Sequence, residues 1–67
     1  MNQFISETAT LGKNVTLGYN TVILDNVVIG DDCQIGHNVV IHPGSTIGSH
    51  VRIDDNTIIG KRPLSSP

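Results

Sequence analysis

Apolar positions recur along this chain every six residues. From Ile5 onward each sixth position is Ile or Leu: Leu11, Leu17, Ile23, Ile29, Ile35, Ile41, Ile47, Ile53 and Ile59, ten in all without an insertion. The stretch from Ile29 to Ile53, IGDDCQ IGHNVV IHPGST IGSHVR I, shows the unit most clearly. A repeat of fixed spacing dictates architecture, so it takes precedence over any local reading. With the aliphatic position called i, six of the seven glycines stand at i+1: Gly12, Gly18, Gly30, Gly36, Gly48 and Gly60. Position i+3 reads Thr8, Asn14, Asn20, Asn26, Asp32, Asn38, Gly44, His50, Asn56 and Arg62. Asn, Asp, Gly and His tolerate a left-handed backbone, so i+3 is where the chain turns. Position i+4 is small, from Ala9 and Val15 through Thr21, Val27, Cys33, Val39, Ser45 and Val51 to Thr57. The unit therefore predicts a short strand around i, a turn at i+2 and i+3, and a small residue tucked inside the corner.

Stacked units of this kind make a solenoid, all-β, whose inside is lined by i and i+4. Large and small side chains alternate there and fill a narrow prism. The pattern resembles the hexapeptide repeat of the left-handed parallel β-helix, and the match runs from residue 5 to residue 60. That resemblance implies three hexapeptides per triangular coil and a left-handed sense, against the usual right-handed crossover rule. It gives about three coils, with a β-helix over 1–60 and an exiting loop over 61–67.

A coil of three units stacks residues eighteen apart, which tests the outside of the prism. The first face presents Phe4 and Ser6, then Val22 and Leu24, Val40 and His42, Ile58 and Gly60. Phe4, Val22, Val40 and Ile58 are expected to form one outward apolar column with Leu24 beside it. The second face shows Thr10, Val28 and Thr46 between glycines, and the third Thr16, Gln34 and Arg52. A contiguous outward apolar stripe marks an interface, so this face is expected to pack against other copies of the chain.

Composition narrows the picture further. Sixty-seven residues hold one small domain, and a globular core of that size is marginal. Phe4 and Tyr19 are the only aromatic residues, and the apolar mass is strand-favouring Ile and Val. A net charge of −2 with few charges of either sign argues against a nucleic-acid partner. Cys33 is alone, which excludes an internal disulfide and agrees with a reducing, cytoplasmic setting. The start MNQFISETATLGK lacks the basic-then-apolar form of a secretion signal, and no segment has the length to cross a bilayer. Asn14-Val15-Thr16 matches a glycosylation acceptor but reads as chance in that context. The tail Lys61-Arg62-Pro63-Leu64-Ser65-Ser66-Pro67 puts Pro63 where a small inward residue belongs, so a loop is expected to leave the helix there. No capping helix follows, and the chain reads as the opening segment of a longer protein.

The candidate chemistry rests on three histidines. His50 at i+3 reads as a solvated turn residue, with Asp32 and Asn14 in its column. His37 stands at i+2, on a corner leading into the apolar face, and His42 replaces the i+1 glycine on that face. A titratable ring at an apolar interface needs a hydrogen-bond partner. The choice is between an interface histidine bonded to a carbonyl and a general base that takes a proton from an amine or hydroxyl. Cys33 at i+4 reads as a buried small hydrophobe. The six-spaced glycines serve packing and do not form a phosphate loop.

The segment IGDDCQIGHNVVIHPGSTIGSHVRIDDNTIIGKRP resembles the N-terminal part of bacterial hexapeptide acyltransferases, especially those acting on amino sugars or nucleotide-linked sugars. The resemblance implies a homotrimer joined through the face of Phe4, Val22, Leu24, Val40 and Ile58. It also implies an acyl group taken from acyl-coenzyme A or acyl carrier protein, and a histidine base, for which His37 and His42 are the candidates. The thioester arrives activated, so the protein's task is positioning and proton removal. The closing IGKRPL is similar to the point where such chains eject a substrate loop before further coils, so this segment alone is expected to be inactive. A second resemblance, through GHNVVIH, is to the γ-class carbonic anhydrases, where His37 and His42 would match two zinc ligands. No histidine precedes His37 to supply the third, and His50 lies on another corner. A third reading is a non-enzymatic scaffold or ice-binding prism, for which only Thr8-Ala9-Thr10 has the Thr-x-Thr form.

Overall fold

The computed structural model describes residues 3–60, so the expected exit loop at 61–67 lies outside the described residues. Ten two-residue strands stack in three parallel sheets, one per wall of a triangular tube. Face A holds β1 (Phe4–Ile5), β4 (Val22–Ile23), β7 (Val40–Ile41) and β10 (Ile58–Ile59). Face B holds β2 (Thr10–Leu11), β5 (Val28–Ile29) and β8 (Thr46–Ile47). Face C holds β3 (Thr16–Leu17), β6 (Gln34–Ile35) and β9 (Arg52–Ile53). The register is eighteen residues throughout, as in Phe4 opposite Val22 and Gln34 opposite Arg52. The fold is a parallel β-solenoid of about three turns, the left-handed β-helix of the hexapeptide pattern.

Both inward positions behave as the period requires from the second coil on, while Ile5, in the first strand at the open end of the stack, is 42% exposed. Ile23, Ile29, Ile35 and Ile41 at i are buried, and so are Val27, Cys33 and Val39 at i+4. Each fully buried Ile removes enough apolar surface to contribute about 1.5–3 kcal/mol before chain entropy is counted. Polar residues at i+4 find partners inside the corner. The buried Thr21 hydroxyl lies 3.0 Å from the Gly18 carbonyl and 2.9 Å from that of Gly36, and the Cys33 thiol donates to the Gly48 carbonyl at 3.0 Å. Among the described residues no buried side-chain polar atom lacks a partner.

The turns follow the i+3 reading with one exception. Asn14, Asn20, Asn26, Asp32, Asn38, His50 and Asn56 have φ between 56° and 62°, and Gly44 has 79°. Thr8 does not join them. A β-branched residue is strained at positive φ, and at this corner Ala9 N–H donates to the Ser6 carbonyl at 3.1 Å, as Ser45 N–H does to the His42 carbonyl at 3.3 Å. Thr8 Oγ1 then accepts Asn26 N–H at 2.9 Å, a role filled by main-chain carbonyls at Lys13, Tyr19, Asp25, Asp31 and His37.

Ser6 corrects the sequence reading as well. Expected on the outside of the first face, it is buried, its hydroxyl bonded to Asp25 and lying 3.1 Å from Thr8 Oγ1. The apolar column itself is present on face A: Phe4 and Ile58 are more than half exposed, while Val22, Val40 and the neighbouring Leu24 are half-buried.

Candidate functional site

The three corners place the histidines, and corner CA (from face C to face A) holds His37. There the i+2 residues Tyr19, His37 and Asp55 form a column along the prism. A turn leaves the N–H of its i+2 residue pointing outward, and a main-chain donor must find an acceptor or water. Here the next coil supplies it: Tyr19 N–H donates to His37 Nδ1 at 2.7 Å, and His37 N–H donates to Asp55 Oδ1 at 2.7 Å. Corner BC (from face B to face C) repeats the device. Lys13 N–H donates to Asp31 Oδ1 at 2.8 Å, and Asp31 N–H to Ser49 Oγ at 3.1 Å.

This interlock explains the glycines. A Cβ on Gly18 would lie 2.6 Å from His37 Nδ1, and one on Gly30 would lie 2.6 Å from Ser49 Oγ. Gly12 and Gly36 make the same room for Asp31 and Asp55. Sequence reasoning assigned these glycines to packing but missed the acceptors they admit. The available signal was a polar acceptor at i+2 standing nineteen residues after an i+1 glycine.

His37 is exposed, and its ring stacks on that of Tyr19 with centroids 5.3 Å apart and planes 17° from parallel. Tyr19 itself is 63% exposed. Because Nδ1 accepts a hydrogen bond, the neutral ring carries its hydrogen on Nε2. The nitrogen turned to solvent is then a donor.

His42 occupies corner AB (from face A to face B), at the other end of β7 from His37. It is half-buried, and its main chain is fully engaged: the N–H donates to the Ile59 carbonyl at 2.9 Å and its carbonyl accepts Ser45 N–H at 3.3 Å. Among the described residues no hydrogen bond engages its ring. His50, on corner BC, is a solvated turn residue as expected, with Nδ1 3.8 Å from Asp32 Oδ2. Asp32 in turn accepts from Asn14 Nδ2 at 3.1 Å, so the column read from the sequence is physically linked.

The histidines thus lie on three different corners. Among the described residues no three His, Cys, Asp or Glu side chains gather as a metal site within one chain. Cys33 is buried inside the prism. A shallow, open depression of about 510 Å³ lies along face C and corner CA, lined by Gln34, Gly36, Arg52, Asp54 and Asp55 over Ile35 and Ile53. It includes neither His37 nor His42, so this hollow and the candidate bases do not coincide. Among the described residues no helix is long and apolar enough to cross a membrane.

Comparison with known proteins gives one finding. A family model described as bacterial transferase hexapeptide (six repeats) matches residues 8–42 and again 32–61. No curated protein and no solved structure matches the chain.

Proposed function

This chain belongs to the bacterial transferase hexapeptide family, and from that premise we propose that it serves acyl transfer from acyl-coenzyme A or acyl carrier protein to a sugar or amino-sugar acceptor. The observation that carries the reading is His42. It stands where most repeats have glycine, half-buried at the border of the apolar face, with no ring hydrogen bond among the described residues. A titratable side chain in that position suits a base that is completed by a neighbouring copy.

The assembly we propose is a threefold ring with face A turned to the axis. Phe4, Val22, Val40 and Ile58 would be covered at its centre, with Leu24 at the edge. Such a ring sets corner CA of one copy beside corner AB of the next, because its contacts are head-to-tail. His37 of one chain and His42 of its neighbour would then flank one crevice. In that crevice His42 takes the proton from the acceptor amine or hydroxyl as the acceptor attacks the thioester carbon, and gives that proton to the sulfur as the carbon–sulfur bond breaks and the thiol leaves.

The test is thiol release from acetyl-coenzyme A by the purified full-length protein in the presence of an amino sugar. His42→Gln is expected to slow it by about two orders of magnitude or more. An unchanged rate removes His42 from the mechanism, and the absence of acceptor-dependent thiol release defeats the acyl-transfer reading.

A further inference from the structure

Four side chains among the described residues accept an outward turn N–H from the coil before, and so staple one coil to the next: Asp31, His37, Ser49 and Asp55. A proton affects them unequally. A carboxyl group that gains one keeps a carbonyl oxygen, and a hydroxyl keeps its lone pairs, so Asp31, Asp55 and Ser49 stay acceptors in acid. An imidazole that gains one becomes a donor at both nitrogens. Tyr19 N–H and His37 Nδ1 stand 2.7 Å apart, which suits a donor facing an acceptor and excludes two donors. The staple at His37 therefore exists only with the neutral ring.

We propose that corner CA is a pH-gated latch, closed on Tyr19 N–H while the His37 ring is neutral and opened when the ring takes its second proton. Histidine is the side chain that makes this change in the mildly acid range. The closed corner holds fewer protons than the open one, so the latch strengthens as pH rises and is lost as pH falls. From the preceding coil the His37 ring faces the Tyr19 ring, stacked on it with centroids 5.3 Å apart. From the following coil it faces Asp55, whose Oδ1 takes the His37 main-chain N–H at 2.7 Å. Asp54 stands beside Asp55, 3.4 Å from the Arg52 guanidinium. Asp55 thus offers the charged ring a carboxylate on the side away from Tyr19. Opening stays local, because the bonds that stack the two coils here do not involve the ring: Gly18 N–H to the Ile35 carbonyl at 2.9 Å and Asn38 N–H to the Tyr19 carbonyl at 2.8 Å. What acid uncovers is the Tyr19 N–H and the notch that Gly18 leaves for Nδ1. The latch lies within one chain and rests on neither acyl transfer nor the threefold ring.

The experiment is NMR of the purified, nitrogen-labelled full-length protein at about pH 8 and about pH 5. At the higher pH a coupling across the hydrogen bond should join the Tyr19 amide nitrogen to His37 Nδ1. At the lower pH the ring nitrogens should report two protons and that coupling should vanish. The Tyr19 amide should then exchange about fivefold faster, once the intrinsic pH dependence of exchange is removed. The Lys13, Asp31 and His37 amides, held by Asp31, Ser49 and Asp55, should keep their protection. His37→Asn supplies a side-chain oxygen that stays an acceptor in acid, so its circular dichroism should match the parent and its Tyr19 amide should stay protected at both pH values. Should that variant fail to fold, His37→Ser, which copies the Ser49 staple, makes the same comparison. The proposal is overturned by a missing coupling at the higher pH, or by a ring still neutral at the lower one. It is equally overturned by Tyr19 protection that survives the second proton, by the same acid loss in His37→Asn, or by all four amides loosening together.

Discussion

Corners BC and CA and corner AB solve the same turn in opposite ways. On the first two, a glycine at i+1 lets a polar side chain from the next coil reach under and hold a main-chain N–H. On corner AB the i+1 residues Ser6, Leu24 and His42 carry side chains. The i+2 column there contains Pro43, which has no acceptor to offer. Asp25, at the same level in the coil beneath, gives its carboxylate to the Ser6 hydroxyl instead. Stapled corners tie their side chains to the neighbouring coil, with Tyr19 and His37 still exposed on corner CA, while corner AB spends no glycine on interlocking in its first coils and projects Leu24 and His42. Interlocked and unlocked edges are therefore divided around one prism.

The sharpest way to break this division is to fill a glycine on a stapled corner. Gly36→Ala would put a Cβ 2.8 Å from the Asp55 main-chain nitrogen. It is expected to destabilise by about 3 kcal/mol through overpacking and loss of the staple, read by urea denaturation. Removing the acceptor alone should cost less. Asp31→Ala leaves Lys13 N–H to water at an exposed site and is expected to lower stability by about 1 kcal/mol. Pro43→Ala, on corner AB, should cost roughly 0.5–1 kcal/mol by loosening the unfolded chain, with no change in native hydrogen bonding by amide exchange. The smallest effect should come from His42→Gly, which restores the common residue of the other corners. A loss of less than about 1 kcal/mol is expected, and a larger loss would mean that His42 packs as core.

Much of this was legible because a strict period states which residues are neighbours. Ile23, Val27 and Cys33 are buried as read, and His50 sits at φ 59° in solvent as read. Thr8 and Ser6 departed from the pattern because repeats average over side-chain chemistry. A Thr at the turn position resists positive φ, and a Ser among Thr8 and Asp25 is drawn inward by hydroxyl and carboxylate partners. The Tyr19–His37 pair was hidden for another reason. Periodicity put both residues at i+2, eighteen apart, but it cannot say which ring nitrogen meets the main chain. The outward column of face A was readable in full, although what covers it is a question of assembly.

The eighteen-residue register makes wall identity a matter of arithmetic. A duplication or deletion of one whole lap would lengthen or shorten the tube and leave every downstream side chain on its original wall. A change of six residues would preserve the sealed interior just as well, yet rotate everything after it by one third of a turn. Ile58 would then point away from Phe4, and the greasy seam would be split between two sides. Selection on such a gene can therefore tolerate an indel inside the tube while rejecting it for what it does to the outside.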